Sequence, residues 1–236
     1  MTETDEPVDL YTSKQSRFIV QNLYSSWKPN DDLDLPRSFL TAADVGVFFS
    51  VKKPAIVPDV LLSLDVSAPK DMFAKNGKCY FAWEMGKPPD VAIEIVSNKT
   101  GDELTTKMQA YALGMVRYYV VYDPNLYLGF DKLRVYELAV NGKYSRCEDY
   151  KLPNVGLGLT LWSGDFENSL QEWLRWTDEN GVLISTADEQ REVSNQRARQ
   201  AENKVIEAQE KAVEAENRAT RLAEKLRELG IDPNQI

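Results

Sequence analysis

Apolar and polar positions along this chain repeat with two different periods, and the switches between them mark its elements. A helical stretch is read around Ser13–Trp27, followed by a loop holding Pro29 and Pro36. The segments Ala43–Val51 and Ala55–Leu64 read as strands joined by a turn at "KKP", while Ser67–Pro88 is irregular, punctuated by "APKD", "NGK" and "GKPP". Asp90–Val96 reads as a strand, Thr100–Leu113 as a helix closed by Gly114, and Arg117–Tyr122 as an aromatic and β-branched strand closed by "DP". Lys132–Ala139 and Lys143–Tyr150 flank "NG", a strong hairpin signal. A strand near Leu157–Trp162 and a helix over Glu167–Trp176 complete the series. Strands with helices interspersed predict an α/β or α+β layer fold.

Near residue 187 the pattern changes. All Trp, Phe and Tyr lie before that point, whereas 188–229 contains no Pro, Gly or aromatic residue and is dominated by Glu, Gln, Ala, Lys and Arg. This is the composition of a long helix, and it divides the chain into a domain over 1–186 and a tail over 187–236. Within the tail Ala198, Ala201, Val205, Ala208, Ala212, Ala215, Ala219, Leu222, Leu226 and Leu229 recur at spacings alternating three and four, an a/d seam. The g positions Arg197, Lys204, Lys211, Arg218 and Lys225 are all basic, and the e positions include Glu202, Gln209 and Glu216. A parallel pair of helices sets each g beside the e five residues on, so opposite charges meet. An antiparallel pair would set g against g. The tail is therefore expected to form a parallel homodimeric coiled coil, the bland alternative being a lone helix held by pairs such as Glu207 with Lys211.

Composition narrows the chemistry. The chain of 236 residues carries no histidine and a formal net charge of −9. Histidine triads and imidazole bases are excluded, which leaves carboxylates, lysines, hydroxyls and a metal. The negative charge argues against coating nucleic acid by electrostatics alone, but not against a nuclease, since divalent cations bridge carboxylates to phosphates. Two cysteines, Cys79 and Cys147, lack zinc-ligand spacing and suggest a reduced, cytoplasmic chain. The start "MTETDEPVDLY" is acidic, unlike a secretory leader, and no apolar run is long enough to span a membrane.

One segment, "PDVAIEIVS", poses a physical question. Strand periodicity puts Asp90, Ala92, Glu94 and Val96 on one face, so an acid sits in the middle of an apolar strand. A buried carboxylate costs several kcal/mol, roughly, unless paired or bound to metal. In "AIVPDVLL", Asp59 shares a face with Val57 and Leu61, and pairing the two strands would bring Asp59 to Glu94. Two carboxylates that close repel unless a cation lies between them, and Mg²⁺ takes such ligands together with phosphate oxygens and water. In the following helix Leu104, Met108, Tyr111 and Met115 form an apolar stripe on which Lys107 also lies. Its ammonium must either snorkel to solvent or meet carboxylates inside. The bland reading is a buried Lys107–Glu94 ion pair without chemistry.

"PDV" at Pro58–Val60, "PDVAIEIVS", Asp102, Lys107, Tyr111, Gly114, Tyr118–Tyr119 and "DP" at Asp123–Pro124 together resemble the Uma-two-type putative restriction endonuclease family, within the PD-(D/E)xK nuclease superfamily. The resemblance covers about Asp44 to Leu161. It implies a restriction-endonuclease-like fold, a mixed central sheet flanked by helices, here followed by the coiled-coil helix. It implies Asp59 and Glu94 as metal ligands for Mg²⁺ or Mn²⁺, and DNA as substrate. The usual lysine position, two residues after the second acid, is Val96; the lysine resembles one relocated to the next helix, Lys107, with Lys99 the weaker alternative. Glu and Trp are usual near Arg117 and Tyr119, and their replacement bears on packing.

Other residues read more plainly. Asp90 suits a turn cap, Asp44 a solvated strand end, and Asp102 the first turn of a helix. Trp162, Trp173 and Trp176 suit packing, and "GDELTTK" is not a phosphate loop. The expected function is Mg-dependent endodeoxyribonuclease activity. The rival is a catalytically inactive nuclease-like binding or scaffold protein that oligomerises through its coiled coil.

Overall fold

A computed structural model describes residues 9–31, 33–74, 77–99 and 102–230. The chain divides into two compact units, Met1–Thr186 and Ala187–Ile236.

The first unit opens with α1 (Leu10–Ser26), whose start is fixed by Asp9: its carboxylate accepts from the Thr12 N–H and the Thr12 hydroxyl, both at 2.9 Å. The helix buries Gln15, Phe18, Ile19, Asn22 and Leu23, one face at helical spacing. Six strands form the central sheet in the order β1 (Phe39–Ala43), β3 (Val60–Leu64), β5 (Val91–Ile95), β6 (Tyr118–Tyr122), β7 (Leu133–Leu138) and β8 (Tyr144–Arg146). Only β5 and β6 pair in parallel; the other neighbours are antiparallel. A parallel pair needs a crossover, and this one carries a π-helical turn, Glu103–Lys107, that runs into α3 (Met108–Leu113). A small parallel pair, β2 (Val47–Phe48) with β4 (Tyr80–Phe81), and a short helix α2 (Ala82–Met85) lie between β1 and β5 in sequence. A second sheet joins β9 (Lys151–Leu152), β10 (Leu157–Phe166) and β11 (Ser169–Asp178).

Every residue of β3, β5 and β6 is buried, which is why these strands read as nearly continuous apolar runs. On one face Val60, Leu62, Val91, Ile93, Val120 and Tyr122 pack with Ile19 and Leu23 of α1 and with Leu157, Leu174 and Trp176 of the second sheet. On the other, Ala92, Val96, Tyr119 and Val121 meet Tyr111 of α3. That second face carries Glu94.

Two expectations are corrected. The segment Glu167–Trp176 is not a helix. Glu167 and Asn168 both take left-handed φ, 49° and 59°, and form a two-residue turn that pairs Phe166 with Ser169 and continues as the hairpin β10–β11. Trp173, Leu174 and Trp176 mask the alternation of a strand because β11 buries side chains on both of its faces there. Gln15 closes on this strand, accepting from the Leu174 N–H and donating to its carbonyl. Second, the strands expected at Ala43–Val51 and Ala55–Leu64 are shorter and shifted. β1 ends where Asp44 turns left-handed (φ 55°), and β3 starts only after Pro58, which has no N–H to give a ladder. Gly114 caps α3 as expected, right-handed at φ −77°, and the left-handed residue that follows it is Met115, φ 61°. Val116 N–H reaches the Tyr111 carbonyl and Met115 N–H that of Ala112, the paired bonds of a Schellman end. Gly114 is needed for space: a Cβ there would lie 2.6 Å from the Phe49 ring.

The "NG" hairpin forms as expected, with Gly142 left-handed and the Ala139 N–H on the Lys143 carbonyl. Thr100 and Gly101, the expected start of the crossover helix, lie outside the described residues. The second unit is α4 (Ala187–Glu228), 42 residues long with no buried residue. Among the described residues no helix is long and apolar enough to cross a membrane.

Candidate functional site

The antiparallel register places Val60 opposite Ile93, and one step further along, Asp59 turns its Oδ2 to the Ile95 N–H at 2.5 Å. Glu94 points to the α3 face, where Oε1 accepts from the Tyr111 hydroxyl at 2.6 Å and Oε2 from Lys107 Nζ at 2.8 Å. Asp59, Glu94 and Lys107, three residues singled out in the sequence, thus come from the edge of β3, from β5 and from the crossover.

The π-helical turn determines what the crossover presents. The Lys107 N–H bonds to the Asp102 carbonyl five residues back, a wider loop than an α-helix makes. Glu103, Lys107 and Tyr111, each four residues apart, all reach the same buried place. Lys107 Nζ lies 3.6 Å from Glu103 Oε1 as well as on Glu94.

Burial and charge act strongly here. Glu94 is only 2% exposed, and burial raises its carboxyl above the ordinary range, opposed by Lys107 and the Tyr111 hydroxyl. Asp59 is pushed up to about 8, first by burial and then by the charge of Glu94, with the Ile95 N–H and Lys107 offsetting part. Burial alone would lower Lys107, but Glu94, then Glu103 and Asp59, outweigh it, so its ammonium is held more firmly than in water. Burial, followed by Glu94, raises Tyr111, which keeps it a neutral donor. At neutral pH Asp59 therefore holds its proton, while the Lys107 ammonium stands against Glu94. Ionising Asp59 beside Glu94 calls for another positive charge, a property suited to capturing a hard cation.

The remaining candidates sort by position. Asp44 is half-buried, which raises its carboxyl; its N–H donates to the Asp59 carbonyl, and its charge helps raise Asp59, so it borders the site. Asp90 stands at the far end of β5, held by Lys87 Nζ at 2.6 Å and the Leu64 N–H at 2.8 Å. Asp102 contributes its carbonyl to the π-turn. The Lys99 ammonium lies over the Tyr127 ring at 5.8 Å. Trp173 and Trp176 are buried in packing, and the Trp162 ring faces the Arg175 guanidinium at 4.7 Å. Two site groups escaped sequence reasoning: Glu103, and Tyr111 as a hydrogen-bond donor rather than an apolar stripe residue. The four-residue spacing of both from Lys107 was the available signal. Among the described residues no group of three or more His, Cys, Asp or Glu is arranged to hold a metal ion.

A mixed α/β sheet with two acids at the adjoining ends of neighbouring strands, and a lysine delivered by the crossover, defines the class of site. The Uma2 family, described as "Putative restriction endonuclease", matches residues 6–166, and the chain belongs to that family. No curated protein matches the chain, and no solved structure does.

Proposed function

We propose that this protein is a metal-dependent endodeoxyribonuclease that hydrolyses phosphodiester bonds, on a restriction-endonuclease-like fold. The observation that carries the proposal is the convergence of Asp59 and Lys107 on the buried Glu94. Family membership supports nuclease chemistry. The donor set suits Mg²⁺ or Mn²⁺: hard carboxylate oxygens, two in number, which is what Mg²⁺ commonly takes from protein while water and substrate phosphates complete its shell. Asp59 and Glu94 would hold the ion, which when bound supplies Lewis-acid polarisation of the scissile phosphate and lowers the pKa of an attacking water. Glu94 fixes its orientation through Tyr111, and the Ile95 N–H fixes that of Asp59. Lys107 presents a charged donor to the oxygen on which negative charge grows.

A second reading is a catalytically inactive binding or scaffold protein. It is favoured by the closed 2.8 Å Glu94–Lys107 contact, which a purely structural ion pair would also show. Cleavage of plasmid DNA with Mg²⁺ or Mn²⁺, stopped by EDTA, separates the two. An intact fold that cuts no form of DNA would establish the scaffold. With net charge −9, DNA binding in EDTA should be weak at physiological salt and strengthened by Ca²⁺; tight binding in EDTA would contradict the metal bridge.

The long helix supports a homodimer. Val205 and Leu222 on its a/d seam are more than half exposed, and in a parallel pair Arg197 would meet Glu202 and Lys211 would meet Glu216. Sedimentation of the full chain against a 1–186 truncation tests this. A monomeric full chain at about tens of micromolar, where a weak coiled coil already associates, would exclude it.

A further inference from the structure

Glu103 is unusual among the acids of this protein. Its side chain is 8% exposed, yet Oε2 is buried with no hydrogen-bond partner among the described residues. Oε1 stands 3.6 Å from Lys107 Nζ, close enough for an ion pair and too far for a hydrogen bond. Leaving a buried carboxylate oxygen unpaired is costly, so the arrangement calls for a reason. The main chain that carries it is fixed, because the Tyr119 hydroxyl donates to the Glu103 backbone carbonyl at 2.9 Å and anchors the first residue of the π-turn. The lysine, for its part, has donors to spare: an ammonium carries three, and among the described residues Glu94 Oε2 is its one side-chain acceptor at hydrogen-bond distance.

We propose that Glu103 is the second seat of the Lys107 ammonium. This inference rests on the reading of Asp59 and Glu94 as cation ligands. When a divalent cation takes the oxygens of Glu94, the ammonium must leave Glu94 Oε2. Glu103 lies on the same helical path four residues earlier, with an oxygen unclaimed. A shift of well under the length of the side chain carries the ammonium to it, so Lys107 stays beside the acids instead of swinging into solvent. Glu103 is thus a positioning residue that acts through Lys107, and it reduces the competition between lysine and cation for Glu94.

The test is a double-mutant cycle with Glu103→Gln and Lys107→Met in the full chain, read in two ways. In metal-free protein, urea unfolding should show the two substitutions coupled, by about threefold or more in the folding equilibrium constant. Strict additivity would overturn the inference, whatever the cation does. In titration calorimetry with Mn²⁺ alone, Glu103→Gln should weaken binding by about fivefold when Lys107 is present, and by less than about twofold in the Lys107→Met background. Equal weakening in both backgrounds would show that Glu103 acts on the cation by its own charge, and would also overturn the inference. Absence of Mn²⁺ binding by the parent chain would sink the cation reading of Asp59 and Glu94, and the exchange with it; the metal-free arm distinguishes that failure from a failure of Glu103.

Discussion

The two ends of strand β5 use the same parts to different effect. At its start, Asp90 accepts from Lys87 and from the Leu64 N–H. Near its end, Glu94 accepts from Lys107 and Tyr111 beside an Asp59 held by the Ile95 N–H. Both ends thus have an acid, a lysine and a backbone donor. In the first a partly exposed carboxylate meets one ammonium, and charge is balanced where it stands. In the second an equally exposed ammonium meets buried carboxylates, and there are more carboxylates than cations. An acid–lysine pair alone does not mark a reactive site; an excess of buried carboxyl groups over the cations that face them does.

That comparison can be broken most directly at the acids. Glu94→Ala and Asp59→Ala should each lower Mn²⁺-dependent plasmid cleavage by roughly 10³-fold or more, given how much such electrostatic groups contribute, while Asp90→Asn stays within about twofold of the parent. Equal losses at both ends of β5 would show that the strand, not the site, was being tested. Lys107→Met should cost about 10²-fold in cleavage rate with Mn²⁺ still bound in calorimetry, since it removes one donor to the developing charge.

Protonation sharpens the contrast further. The folded chain holds the Asp59 proton up to about pH 8, whereas the unfolded chain releases it near 3.8. Between those values the folded state binds the extra proton, so the contribution of Asp59 to stability is greatest below about pH 4, falls as pH rises and levels off beyond about 8. Asp59→Asn should flatten this slope and stabilise the metal-free protein by about 1–3 kcal/mol at pH 8.5, with the gain vanishing towards pH 4, as read by urea unfolding. The smallest effect is expected at the other end: Lys87→Met should change stability by less than about 1 kcal/mol and leave cleavage unaltered.

Much of this contrast was legible in the residues. The acid in an apolar strand identified Glu94, the matching acid before β3 identified Asp59, and a lysine on an apolar stripe identified Lys107, because each broke a pattern that burial otherwise enforces. The central strands were legible for the same reason. The hairpin β10–β11 was not, since its turn uses Glu167 and Asn168 where glycine would have announced left-handed backbone, and since a strand buried on both faces loses its alternation. Strand β1 was missed because its pattern of partial burial lacks a long apolar run. Glu103 passed unnoticed because its burial depends on the π-turn, a departure from α-helical geometry that no residue in "ELTTK" advertises.

The crossover placement of the lysine has one more consequence. When acid and base share a strand, they are present or absent together. Here Lys107 reaches the acids only while a π-turn and a six-residue helix stay docked on the sheet, packed by Tyr111 and by Phe49 against Gly114. Glu94 lies within β5 and Asp59 directly precedes β3, strands buried along their whole length, so the acids should survive an undocking that removes the lysine. On the proposed function the protein is built as a lock with a separable key: anything that loosens one short segment would leave a folded chain that still binds the cation and does not cut.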